Sequence, residues 1–199
     1  MINKSIIKIP KIGIIGFHPS KLPLYRGRST IAWQIEEGVR SSAYTAFFVN
    51  SKPDAGDVIL SQNFIINKDD YVNDVLNKVD KALKKMLPRI YKMMKSNSFP
   101  RVKQNLKKGF YKTLRSDNNS IIVWNRKALE IFNKIRAVSH PYPGAFFLLN
   151  GKRVSAWYSK IIKNNQQKVR KPGTVVKKSK DYIVVMTKDK LIKVFLKKI

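Results

Sequence analysis

The stretch Gly13–Gln34, GIIGFHPSKLPLYRGRSTIAWQ, decides how this chain is read. It opens on a short apolar run, passes His18 and a loop rich in proline, glycine and arginine, and ends in helix-forming residues. Strand, loop and helix in that order put His18 just beyond a buried strand, where open α/β sheets present ligands. A histidine there is a candidate catalytic or binding residue; the plainer alternative is an imidazole satisfied by loop carbonyls.

Working outward, KIGIIGF reads as the opening strand and RSTIAWQIEEG as a short helix ended by Gly38. SAYTAFFVN and DVILSQNFII read as strands joined by the loop SKPDAGD, in which Asp54 and Asp57 sit in a turn. Between Asp69 and Lys95 apolar residues recur every three or four positions, predicting a long amphipathic helix with Asp69 and Asp70 at its start. Pro88 is expected to kink or break its last turns. Strand, helix, strand, strand, long helix is an α/β order.

The pattern changes near Asn97–Lys103, which predicts one domain over 1–100 and another over 103–199. In the second, WNRKALEIFNKIRAVS has helical spacing with Asn125 as its cap, and Asn150-Gly151 is a strong hairpin signal. Three further short strands turn near Ser179 and Lys188, so one helix and about five strands predict a small β-barrel-like domain. His140 begins a Pro-Tyr-Pro-Gly turn here and reads as structural.

The chain has 199 residues, no cysteine and a net charge of +29. Its apolar content supports a genuine core, and the lack of cysteine excludes disulfides and thiolate metal sites. No apolar run approaches the roughly 20 residues needed to span a bilayer, which argues for a soluble protein without membrane contact, with the cytoplasm as the expected compartment. Residues 103–199 carry 24 basic and 4 acidic side chains, against 17 and 8 before them. That excess suits a polyanion such as RNA, and a general bias toward lysine would also produce it. The two histidines stand 122 residues apart and give no metal-ligand spacing.

Taken together, Gly16, Phe17, His18, Pro19, Ser20, Lys21, Leu22, Pro23, Leu24, Tyr25, Arg26 and Gly27, followed by Asp54-Ala55-Gly56, resemble the folate-dependent formyltransferases. That family reads Asn-x-His-x-Ser-Leu-Leu-Pro-x-x-Arg-Gly, then an Asp-Ala/Thr-Gly turn some 35 residues on. IRAVSHPYPGAFFLLNGKRVSAW is similar to its C-terminal domain. The resemblance implies a Rossmann-like catalytic domain lacking its first part and an OB-like second domain. It implies transfer of a formyl group from 10-formyltetrahydrofolate, a co-substrate, to a primary amine without any metal. His18 would supply a proton or hydrogen bond and Asp54 would keep it charged. Ser20, Lys21, Leu22 and Pro23, with Asn50, Ser51, Lys52 and Pro53, would line the folate pocket.

The chain departs from the pattern in two ways. Gly16 stands where the family has an asparagine that donates to the oxyanion, and loss of one such donor typically costs about 10²–10³ in rate. Only 17 residues precede His18, so the opening strand is expected to leave an open edge that another polypeptide supplying the rest of the sheet would cover. Arg28 follows the Arg-Gly pair, where the sugar-nucleotide members have arginine and the methionyl-tRNA members alanine. It could contact a folate carboxylate or substrate phosphate, or be a solvated helix-start residue. The expected acceptor is therefore a nucleotide-linked amino sugar. The alternatives are initiator tRNA, favoured by the basic second half, and an impaired RNA-binding or interaction module built on the same fold.

Overall fold

The computed structural model describes residues 3–162 and 171–196. The chain forms two compact units, one of Met1–Gln34, Val39–Lys68 and Asp74–Leu114, the other of Ile35–Gly38, Asp69–Asn73 and Arg115–Ile199. Residues 103–114, beyond the boundary expected from sequence, thus belong to the first unit. No helix among the described residues is long and apolar enough to cross a membrane.

The first unit begins with a single-turn helix α1 (Lys4–Ile7), whose N–H at Ser5 is capped by the Asn3 side chain. The strand β1 (Ile15–His18) follows, then the two-residue β2 (Arg26–Gly27) and helix α2 (Thr30–Glu36), whose last two residues fall in the second unit. β3 (Ser41–Phe48) and β4 (Val58–Ile65) form an antiparallel pair, and β1 adds to the other side of β3, giving the order β1-β3-β4. β3 is buried along nearly its whole length, as expected of a central strand covered on both faces.

Helix α3 (Val72–Lys95) closes one face of this sheet. Its Met86 and Ile90 pack with Ala46, Phe48, Ile59 and Leu60, flanked by Ile15, Tyr44, Met93 and Phe99. The helix starts after Asp69 and Asp70, so its acidic first-turn residue is Asp74. It also runs through Pro88 to Lys95, so the break expected there does not occur. Pro88 is exposed, so its ring lies outside the packed face, and its missing N–H removes one bond of the ladder rather than ending the helix. After α3 come a 3₁₀ turn (Leu106–Lys108) and β5 (Tyr111–Lys112), which pairs with β2 in parallel.

Among the described residues the second unit contains α4 (Asp117–Ser120), α5 (Ala128–Val138) and six strands: β6 (Ala145–Leu149), β7 (Lys152–Ala156), β8 (Tyr158–Ile162), β9 (Val175–Lys178), β10 (Tyr182–Met186) and β11 (Leu191–Phe195). β6 and β7 form a hairpin, and the other four form an antiparallel sheet in the order β8-β11-β10-β9. The hairpin turns at Asn150 and Gly151, both with positive φ (51° and 75°), the geometry an Asn-Gly pair is suited to. α5 starts at Ala128 rather than after Asn125, because the Asp189 carboxylate from the β10–β11 turn accepts the Ala128 N–H at 2.7 Å. Buried Arg136 on this helix gives its donors to the Asn133 side chain and to the carbonyls of Asp70 and Ile35.

Tyr71 belongs to this unit too. Its hydroxyl accepts the Ser159 N–H at 3.1 Å and faces the Ser159 carbonyl at 3.3 Å, while its ring stacks on Tyr158. Burial, opposed by the bonds with Ser159, pushes its phenol up from 10.0 to about 12. The folded chain therefore keeps a proton that the unfolded chain loses near its ordinary value of about 10. The stability this contributes is complete below pH ~10 and disappears as pH rises toward ~12. Tyr71→Phe should start less stable and fall less steeply over that interval, which urea melts from pH 9 to 12 would measure. Parallel curves for the two proteins would refute the assignment.

Candidate active site

His18 is the last residue of β1 and is 5% exposed. Its Nε2 lies 2.7 Å from the Tyr25 carbonyl, and since a carbonyl only accepts, Nε2 carries a hydrogen in this arrangement. Tyr25 has φ +54°, and this left-handed residue ends the loop that returns its carbonyl to the ring. His18 Nδ1 faces Asp54 Oδ2 at 3.6 Å. The same carboxylate oxygen accepts the Gly27 N–H at 2.8 Å.

The loop carrying Asp54 is held from both sides. Gln104 donates its amide to the carbonyls of Asp54 (2.9 Å) and Gly56 (2.7 Å), and the Tyr111 hydroxyl donates to the Pro53 carbonyl at 3.0 Å. Gly56 passes so close to β3 that a Cβ would lie 1.6 Å from the Phe48 carbonyl oxygen, so no other residue fits. Tyr111 in turn lies under buried Arg26, whose guanidinium sits 4.2 Å from the ring centre and donates to the Leu106 carbonyl at 3.2 Å. Gly27 next to it, at φ +99°, is pressed against the Lys112 carbonyl, which a Cβ would meet at 2.3 Å.

The loop after His18 is fixed by a buried polar network. Thr45 Oγ1 donates to the Ser20 carbonyl (2.7 Å), Ser20 Oγ to the Leu24 carbonyl (2.6 Å) and the Gln34 amide to the Pro19 carbonyl (2.8 Å). The Ser42 hydroxyl donates in turn to the Gln34 side-chain oxygen. Leu22 and Pro23 are half-buried, while Lys21, Arg28, Asn50, Ser51, Lys52 and Pro53 are exposed. Asn50 Oδ1 accepts the Lys52 N–H at 2.9 Å, and the Arg28 N–H bonds the Lys112 carbonyl at 2.9 Å. His140 is exposed, at its turn in the second unit.

Gly16 lies on the same face of β1 as His18 and opposite Phe47 of β3. The Phe47 ring, 4% exposed, leans over it, so that a Cβ at Gly16 would approach Phe47 Cζ to 2.8 Å and Val49 Cγ2 to 3.1 Å. The place a side chain would take two residues before the histidine is thus filled by an aromatic ring. Sequence reasoning missed Phe47, Gln104 and Tyr111 as members of this site. Gln104 and Tyr111 lie in a stretch without apolar periodicity, and Phe47 reads only as a strand residue; only the fold shows what each touches.

A family model described as formyl transferase matches residues 1–91, and one described as formyl transferase, C-terminal domain, matches residues 115–198. Methionyl-tRNA formyltransferase of Alkaliphilus oremlandii is 28% identical over 194 residues, covering 98% of this chain and 62% of the relative. The enzyme of the same name from Pelotomaculum thermopropionicum is 30% identical over 187 residues, covering 94% and 59%. The chain thus spans about 60% of the length of these curated relatives. Among solved structures, an N-formyltransferase from Helicobacter canadensis with folinic acid and dTDP-3-aminofucose superposes with a TM-score of 0.73 at 19% identity, covering 92% of this chain and 65% of that one.

The Gly16–Phe47 contact makes a direct prediction. Gly16→Asn overpacks the strand face and should lower stability by about 1–3 kcal/mol. Combining it with Phe47→Leu should recover part of that loss, so the pair is non-additive. Urea denaturation of the two single variants and the double variant measures the coupling, and strict additivity would rule the contact out as the constraint.

Proposed function

This chain belongs to the formyltransferase family, and from that premise we propose that it transfers a formyl group from 10-formyltetrahydrofolate to a primary amine. The observation that carries the proposal is the Asp54 carboxylate 3.6 Å from His18 Nδ1 at the end of a sheet strand. The reaction joins the amine nitrogen to the formyl carbon and breaks the bond to the folate nitrogen, which takes up a proton as the amine gives one away. Negative charge gathers on the formyl oxygen in between, and a fixed donor there lowers the barrier.

His18 is that donor: its Nε2–H, given to the Tyr25 carbonyl in the structure, is the hydrogen a substrate oxygen would take over. Asp54 orients the ring from the other nitrogen and balances its charge, and is itself set by the Gly27 N–H. Ser20, Lys21, Leu22 and Pro23, with Asn50, Ser51, Lys52 and Pro53, are proposed to border the folate. With Gly16 offering no side chain and Phe47 over it, His18 carries more of the oxyanion than it would beside an asparagine. The first unit is read as part of a Rossmann-like domain and the second as OB-like, at work in the cytoplasm.

Exposed Arg28 favours a nucleotide-linked amino sugar as acceptor, since its fork of donors suits a diphosphate. The named activity of the curated relatives favours methionyl-tRNA as the second reading. Incubation with 10-formyltetrahydrofolate and either UDP-4-amino-4-deoxy-L-arabinose or methionyl-tRNA, followed by mass detection of the formylated amine, separates the two. His18→Ala should slow product formation by about 10²–10⁴-fold, and Asp54→Asn should slow it while leaving folate binding in place. Equal rates for wild type and His18→Ala would overturn the proposal.

A further inference from the structure

The densest charge outside the His18–Asp54 site runs along α3. Lys78, Lys81, Lys85, Arg89 and Lys92 follow one another at spacings of three or four residues, so all five share one helix face. They extend over about 21 Å, in steps of about 4.5–6 Å. Lys78, Lys81 and Lys85, with Ala82, form one wall of a groove of about 280 Å³ whose other wall is Gln62, Asn63, Phe64 and Ile65 of β4. β4 is the outer strand in the order β1-β3-β4, so this wall is a sheet edge. Of the acidic residues on α3, Asp74 stands at the N-terminal end of the basic face and Asp80 points to the opposite side.

Lys92 suits the last turn of the helix, but along the middle of the row the arrangement works against it. Neighbouring like charges at i,i+3 and i,i+4 each destabilise it by about 0.2–0.5 kcal/mol. Lys78–Lys81, Lys81–Lys85, Lys85–Arg89 and Arg89–Lys92 are four such pairs in series. What they offer instead is a row of donors beside side-chain amides, matched to a partner with regularly repeated negative charge.

We propose that the α3–β4 groove binds the phosphodiester backbone of duplex RNA, without reading its sequence. An acidic peptide added as a strand on β4 is disfavoured because Lys78 Nζ already donates to the Ile65 carbonyl at 3.0 Å. An anionic membrane is disfavoured because three of the cations line a recess against a sheet edge rather than a convex face. Phe64 is the one aromatic lining residue, half-buried, so the groove has no row of rings to stack bases and its contacts fall on phosphates. The proposal concerns the first unit and holds for either acceptor of the formyl group.

The test is fluorescence anisotropy of the full chain with two RNA hairpins of equal length and unrelated sequence, titrated at several salt concentrations. Lys81→Gln/Lys85→Gln/Arg89→Gln, made at exposed positions with a residue of good helix propensity, should weaken both hairpins roughly tenfold or more. Each lost phosphate contact should take about 0.9 off the salt slope. Lys177→Gln/Lys178→Gln/Lys180→Gln removes the same charge from exposed sites in the second unit and should change affinity far less. Lys85→Gln alone should show a smaller loss in the same direction, and His18→Ala should bind as wild type, which keeps this result separate from the formyl-transfer assay. Equal losses in the two triple variants, preference for one hairpin, no binding by wild type, or tighter binding to polyglutamate or to phosphatidylserine vesicles would each overturn the proposal.

Discussion

The first unit depends on one carboxylate oxygen. Asp54 Oδ2 receives the Gly27 N–H and faces the His18 ring, which joins the turn between β3 and β4 to the loop that follows β1. Each of these loops is anchored independently as well, Gly56 and Gln104 holding one and Thr45 with Gln34 holding the other. A charged group shared between two loops is stable only when both are rigid, because each lost constraint returns entropy to the open state. The buried hydroxyls and amides around Ser20 and Gln34 are therefore the scaffold of the site as much as the hydrophobic contacts of α3 are.

Much of this was legible in the sequence, because the deciding signals are local. The spacing from Val72 to Met94 and the Asn150-Gly151 turn each constrain a few neighbouring dihedrals and appear where they were read, whereas the opening strand, read over 11–17 with His18 beyond it, starts only at Ile15 and ends on His18 itself. The association of His18 with Asp54 rested on resemblance rather than on any pattern in the residues, and the distance between them required the fold. What stayed hidden was long-range. Asp189 caps a helix that begins 61 residues earlier, Gln104 reaches back to the Asp54 loop, and Phe47 fills space above Gly16 from the adjacent strand. Whether Pro88 breaks the helix is likewise settled by distant packing: Met86 and Ile90 on either side of it are held against the sheet, and the helix continues with one hydrogen bond fewer.

Each unit buries an arginine that bonds to backbone carbonyls. Arg26 in the first is stacked on Tyr111 and bonded to a backbone carbonyl; Arg136 in the second is bonded to Asn133 and two backbone carbonyls. Carbonyl dipoles accept from both guanidiniums, a spread of directions that a fork of five donors permits and an ammonium would not match. In a chain with 41 basic and only 12 acidic residues, one carboxylate can serve two cations: Glu36 pairs with both Arg115 (2.6 Å) and Lys134 (2.8 Å).

The clasp of Tyr25 on His18 also governs motion. The imidazole is hydrogen-bonded at one nitrogen to a carbonyl seven residues further along its own loop, and its other nitrogen faces a carboxylate at 3.6 Å. A turn about its Cα–Cβ bond breaks the hydrogen bond to Tyr25, so its reorientation is coupled to opening of the segment from Pro19 to Tyr25. That makes the ring a clock for the loop: the slow step in redirecting its N–H is breathing of the backbone, a collective event far slower than an ordinary surface rotamer flip.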